Sequence, residues 1–312
     1  MHKLKIGIVG LGNMGRGIAN NYVRAKVPLA VWDVSSPAIK PFTKLKNLEV
    51  AEPVAMAGMC SIIFFVVPGS AEIETALKGK DGVLAHARPG LVLYDLTTSA
   101  PAATKKLARM AAKKGIAYLD AGMSGGAAGA EAGTLTLMIG GDERAFNRTR
   151  KTLKPFVEKT FYLGKSGAGH TLKLIHNMVC HTIFLTTCEG GRMAERAGIK
   201  LEDMVEVFNV SNARSYISQF RFPRHILSKK WDAKSRVYNL HKDLGMAVTL
   251  AQDLGADVSL GERTLTFLER AVGQGMIEKD FSLLYRDFEK IRKGNSRPKG
   301  GKRRKTGKQK AG

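Results

Sequence analysis

The sequence predicts an α/β protein: a doubly wound, mostly parallel sheet, then a long interdomain helix, then an all-helical C-terminal domain. Three observations predict it. Short apolar runs alternate with helical patterns through the first half; one long amphipathic pattern spans residues 169–197; and nearly everything beyond it has helical periodicity. A chain of 312 residues is long enough for two domains. Their expected limits are residues 1–165 for the sheet domain, 166–197 for the connecting helix and 198–292 for the helical domain. Residues 293–312 are expected to form a disordered basic tail.

The elements follow in order. Residues 5–9, 29–32, 62–67, 91–94 and 116–119 are continuous apolar runs rich in β-branched residues, as in parallel strands buried on both faces. A helical pattern lies between most of them, for example at residues 101–114. Residues 135–139 and 160–163 read as two further strands flanking a helix near 143–153. The character changes near Gly164. The long pattern ends at Gly198, a suitable C-cap. Residues 201–209, 237–254, 260–274 and 281–291 read as helices.

The net charge of +23 is unevenly spread: no acid follows Glu289, whereas eleven lysines and arginines do, carrying nearly half of it. The tail's basic run can hold phosphate backbones weakly, but no aromatic residue there can stack on a base. An accessory extension is the simpler reading, with a nucleic-acid-binding module as the alternative. Cys60, Cys180 and Cys188 show no Cys-x-x-Cys spacing, which argues against a disulfide framework or a zinc site and suits a reducing compartment. The histidines likewise show no ligand spacing, and no metal is expected. The first strand begins almost at once, so a cytoplasmic protein without a targeting segment is expected. The most apolar stretch, residues 178–188, is too short to span a membrane.

The first strand leads into Gly10-Leu11-Gly12-Asn13-Met14-Gly15, a G-x-G-x-x-G turn that opens a helix. Gly10 permits the tight turn, Gly12 lets backbone approach a pyrophosphate, and Gly15 lets the helix pack on the strand. Asp33 ends the second strand, 18 residues after Gly15. A carboxylate there bonds the ribose hydroxyls and repels a 2′-phosphate, so NAD is expected over NADP. This is a Rossmann-type nucleotide site. The segment Ser124-Gly125-Gly126 is a second candidate, because successive backbone amides in a glycine turn form an anion site.

Two further motifs complete an ordered set: Gly169-x-x-x-Lys173-x-x-x-Asn177, whose members share one helix face, and Lys242-Asp243. In this order and spacing the chain resembles the β-hydroxyacid dehydrogenases, the 3-hydroxyisobutyrate dehydrogenase family, over residues 4–292. The resemblance implies reversible NAD-dependent oxidation of a small β-hydroxy acid. It makes Lys173 the general acid/base, although taken alone that residue reads as a solvated helix lysine. It puts Asn177 on the substrate or on the lysine, Ser124, Gly125 and Gly126 on the substrate carboxylate, and Val67, Pro68, Thr98 and Lys242 at the cofactor. It also implies a dimer or tetramer built through the helical half. Gly169 is expected to leave room for substrate or nicotinamide.

The chain departs from the family in two places. Asp120-Ala121-Gly122-Met123 stands where Asp-Ala-Pro-Val is usual. Gly169-His170 and His176-Asn177 resemble the related 6-phosphogluconate dehydrogenases, which makes an oxidative decarboxylase a second alternative. Cys180, however, occupies the place of the glutamate those enzymes use as an acid. The resemblance turns Arg214 toward the cleft as a site for a second anionic group, with a surface ion pair or a helix-start arginine as the alternative reading.

Overall fold

The computed structural model describes residues 5–294. Among them, eight strands make one sheet: β1 (Ile6–Val9), β2 (Leu29–Trp32), β3 (Leu48–Val50), β4 (Ile62–Phe65), β5 (Val92–Asp95), β6 (Ala117–Ser124), β7 (Leu135–Gly141) and β8 (Val157–Tyr162). The order is β3-β2-β1-β4-β5-β6-β7-β8, and every pairing is parallel except β6 with β7. Helices cover both faces, so the central strands are buried throughout. Side-chain alternation divides their residues between two cores. Ile6, Ile8, Phe64 and Tyr94 pack with Tyr22 and Phe156, while Ile63, Phe65 and Leu93 pack with Leu107 and Tyr118 on the other face. Each such side chain contributes roughly 1.5–3 kcal/mol on burial.

The α/β class with a helical second half is what the sequence predicts, and the differences have local causes. β3 is an edge strand of three residues with Glu49 at its centre, which leaves too little apolar pattern to read. β6 runs on to Ser124 because antiparallel β7 pairs with its second half. β8 begins at Val157 rather than residue 160; its first residues face solvent at the sheet edge and carry charges. The pattern at 281–291 splits at Asp287 into helices Leu283–Arg286 and Phe288–Lys293. Lys293, placed in the tail by sequence, closes the second of these. The rest of the expected tail, residues 295–312, lies outside the described residues.

The segment Ile217–Leu227 is a π-helix containing Pro223, whose missing N–H obscures any helical signal in the sequence. No helix among the described residues is long and apolar enough to cross a membrane.

The long helix Ala168–Arg196 belongs to both halves. Asp120 on β6 accepts hydrogen bonds from the amides of Gly167 (2.8 Å) and His170 (3.0 Å), fastening the helix start to the sheet. Farther along, Phe184, Leu185, Cys188 and Ala194 enter the core of the helical half with Leu244, Phe281 and Tyr285. Lys173 and Asn177 fall between the two anchorages.

The role expected for Gly169 is corrected. A Cβ there would meet the carbonyl oxygens of Met138 at 2.4 Å and Asp120 at 2.8 Å. The residue lets the helix rest on β6 and β7; it does not open space for a ligand.

Candidate active site

The carboxyl ends of β1, β4, β5 and β6 open into a cleft of about 2050 Å³ whose other wall is the helical half. Its nucleotide end lies where the strand order reverses between β1 and β4, the place where open α/β sheets take ligands. Gly10 has φ +98°, and a Cβ on it would stand 2.3 Å from the carbonyl oxygen of Val66, so the turn fits only glycine. Gly12 begins the helix Asn13–Arg24. No side chain caps that helix, and a Cβ on Gly12 would meet nothing within 4 Å. Uncapped first-turn amides beside open space are a fit for a pyrophosphate.

Gly12, Asn13, Met14, Gly15, Val67, Pro68 and Thr98 line the cleft; Gly10, Leu11 and Asp33 do not. The Leu11 side chain is in the sheet core, and its amide donates to Asp33 Oδ2 at 2.6 Å. The Ser35 amide donates to Asp33 Oδ1 at 2.8 Å. Each carboxylate oxygen keeps a lone pair for a ribose hydroxyl. Lys242 crosses from the helical half and donates to the carbonyls of Pro68 (3.3 Å) and Thr98 (3.2 Å), tying together the loops that follow β4 and β5.

At the other end, Ser124 closes β6 and the turn follows it. Gly125 and Gly126 have φ of +126° and +62°, so only glycines take this path easily, and both line the cleft. Ser124 Oγ lies 3.4 Å from His176 Nε2, and His176 Nδ1 lies 3.0 Å from Asn177 Oδ1. Asn177 Nδ2 donates to Asp243 Oδ2 at 2.7 Å, and Lys242 stands 3.2 Å from Asp243.

Lys173 lies one turn before Asn177 and is only 8% exposed. Burial pushes its ammonium below the ordinary lysine value, while the Asp243 carboxylate opposes that shift. Burial likewise pushes Asp243 up, opposed by Lys242 and Lys173. His176 and His181 are both pushed down, chiefly by burial, His181 to about 3. The cleft therefore holds a lysine that loses its proton more readily than a free one, two histidines kept neutral, and the Ser124–Gly126 turn.

Asp243 was quoted in the sequence only as the neighbour of Lys242. Its burial and its bond to Asn177 could not be read there. Arg214 is exposed and does not line the cleft; it sits in the loop before the π-helix. Arg221, one of the residues sequence reasoning missed, does line it. Among the described residues, no group of three or more His, Cys, Asp or Glu gathers as a metal site.

Residues 5–164 match the NAD binding domain of 6-phosphogluconate dehydrogenase, and residues 167–288 match the NAD-binding domain of NADP-dependent 3-hydroxyisobutyrate dehydrogenase. A probable mitochondrial 3-hydroxyisobutyrate dehydrogenase of Dictyostelium discoideum is 32% identical, with 91% of this chain and 90% of that protein covered. This chain belongs to the 3-hydroxyisobutyrate dehydrogenase family. A 2-(hydroxymethyl)glutarate dehydrogenase of Eubacterium barkeri is 29% identical, over 92% of this chain and 96% of that one. The crystal structure of a 3-hydroxyisobutyrate dehydrogenase from Salmonella typhimurium superposes with a TM-score of 0.82 at 27% identity, covering 91% of this chain and 99% of the other. Family membership makes the chain an oxidoreductase of the β-hydroxyacid dehydrogenase kind, with NAD or NADP as cofactor.

Proposed function

We propose that the protein oxidises the hydroxyl of a small β-hydroxy acid reversibly, with NAD preferred and Lys173 as the proton-transfer group. One observation carries the reading: Lys173, buried and poised to lose its proton, lines the same cleft as the Ser124–Gly126 turn and the glycine cradle at Gly12. The turn amides and Ser124 Oγ hold the substrate carboxylate. The neutral Lys173 amine takes the hydroxyl proton as the carbinol carbon gives up its hydrogen, and returns it in the reverse direction. The bound nicotinamide supplies the electron-pair acceptor. Asn177, fixed by Asp243, orients the hydroxyl or the lysine. Gly12, Asn13, Met14 and Gly15 hold the pyrophosphate, Asp33 the ribose, and Val67, Pro68, Thr98 and Lys242 surround the nicotinamide end.

The relatives' names supply a panel: 3-hydroxyisobutyrate, L-serine and 2-(hydroxymethyl)glutarate. Turnover of any of them, followed by nicotinamide absorbance and abolished in Lys173→Ala without loss of cofactor binding, is the expected result. Turnover that survives the substitution removes Lys173 from the mechanism. No turnover of any panel member overturns the substrate class. 6-Phosphogluconate belongs in the panel too, because residues 5–164 match the NAD binding domain of its dehydrogenase, but burial pushes the Cys180 thiol up, which makes it a still weaker acid.

The proposal includes a homo-oligomer. Leu172, Ile175, Val179 and Ile183 form an exposed apolar stripe along one side of the long helix, a surface suited to a second copy. Sedimentation of the purified protein as a monomer would overturn this part.

A further inference from the structure

The π-helix Ile217–Leu227 packs through Ile217, Phe222 and Ile226 and turns Arg221 toward the cleft. The guanidinium carbon lies 5.6 Å from the Tyr216 ring centroid and 5.4 Å from that of Phe281. Two aromatic rings therefore hold it in place without neutralising it. Among the described residues it has no carboxylate partner and no hydrogen bond, whereas Arg196 and Arg236 pair with Glu289 and Glu278 at 3.0 and 2.5 Å. Its Nη2 is 3.7 Å from where a Cβ on Gly126 would stand, at the carboxylate turn.

Of the other cations lining the cleft, Arg24, His225 and Arg236 pair with Glu131, Asp232 and Glu278; Arg16, Arg224 and Lys234 have no acidic partner among the described residues, and it is Arg221 that reaches Gly126. Lys242 stands against Asp243, burial drives Lys173 toward its neutral form, and His176 and His181 are held neutral. The guanidinium of Arg221 thus places a half-buried positive charge beside the Ser124–Gly126 turn. The turn offers two amides and a hydroxyl, enough to occupy one carboxylate. The planar fork of Arg221 matches a second one bidentately.

We propose that Arg221 is a substrate-specificity residue that binds a second anionic group, so that the preferred substrate is a β-hydroxy dicarboxylate. This rests on the dehydrogenase reading above and narrows its substrate class. It also assigns to Arg221 the role that the sequence suggested for Arg214.

The test compares kcat/KM for 2-(hydroxymethyl)glutarate and 3-hydroxyisobutyrate in the wild type, Arg221→Met and Arg221→Lys. Wild type is expected to prefer the dicarboxylate. Arg221→Met is expected to lower the ratio of the two kcat/KM values by roughly 10–100-fold, mostly through KM, as for a lost hydrogen bond to a charged group. Arg221→Lys, which keeps the charge and loses the fork, is expected to fall between them, and it stands in if the methionine variant does not fold. An unchanged ratio overturns the proposal, including the case where both substrates lose equally because Arg221 serves the first carboxylate. Calorimetric binding of glutarate and butyrate to the protein with NADH separates the two readings. Arg221-dependent selectivity for glutarate in a protein that turns over no hydroxy acid keeps the subsite and removes the reaction class. Turnover of hydroxy acids with no selectivity for glutarate over butyrate keeps the reaction and removes the subsite.

Discussion

A Cβ built on Gly122 would stand 2.5 Å from Cβ of Lys173 and 2.9 Å from its Cγ. The backbone of β6 and the stem of the lysine touch with nothing between them, at the residue where this chain departs from the family's usual Asp-Ala-Pro-Val. Any side chain at 122 must displace the lysine stem. Gly122→Ala is therefore expected to cost about 1–3 kcal/mol of stability as overpacking and to lower kcat more than it raises KM. Thermal melts and steady-state kinetics check it. An alanine variant with wild-type kcat would mean that Lys173 has slack the structure does not show.

The lowered pKa of Lys173 sets a pH dependence. With Lys173 as the proposed proton-transfer group, oxidation needs the neutral amine, so kcat/KM for the hydroxy acid is expected to rise with pH through the lysine's pKa, which lies below its ordinary value. Reduction of the corresponding aldehyde needs the protonated form and falls over the same interval. The two profiles should mirror each other about one midpoint. A midpoint at or above that of free lysine would contradict the desolvation described for this site.

Asp243 opposes the lowering of the lysine, so its removal should deepen it. In Asp243→Asn the rising limb of the oxidation profile is expected to move to lower pH, and Asn177 loses its charged acceptor. A loss of roughly 10-fold or more in kcat/KM fits hydrogen bonds to charged groups, at about 1.5–3 kcal/mol each. A limb that does not move would show that Asp243 carries no charge when the enzyme works; burial, which pushes its carboxyl up, makes that outcome a real test.

Asp33 anchors the amides of Leu11 and Ser35, and in the proposed function its carboxylate holds the ribose. Asp33→Ser removes the charge that repels a 2′-phosphate. The ratio of kcat/KM for NAD over NADP is expected to drop by roughly 10–100-fold, the worth of charge-assisted hydrogen bonds. Because the substitution also loosens the glycine turn, the ratio, and not the absolute rate, is the measurement. An unchanged ratio would leave Asp33 a purely structural role.

Much of this protein was determined locally and is legible in the sequence. Buried parallel strands such as β1 and β4 need unbroken apolar runs, the nucleotide turn needs its glycines, and the long helix needs its period; all three announce themselves. Lys173 and Asn177 share one helix face, but it is the resemblance to a family that singles them out, since alone Lys173 reads as a solvated helix lysine. What escaped is what depends on partners far along the chain. β3 exists because β2 offers it an edge. The π-helix forms around a proline that locally argues against any helix. Gly169 looked like an opening for ligand and is a contact with two strands. Asp243 stood out in the sequence only as the neighbour of Lys242 and is buried against Asn177, 66 residues away in sequence. Arg214 and Arg221 are two arginines seven residues apart with no local mark to tell them apart, and the packing of one helix turns the second into the cleft and leaves the first in solvent. Backbone conformation follows from near neighbours, whereas the charge state and orientation of a side chain in a cleft follow from desolvation and from groups that only folding brings near.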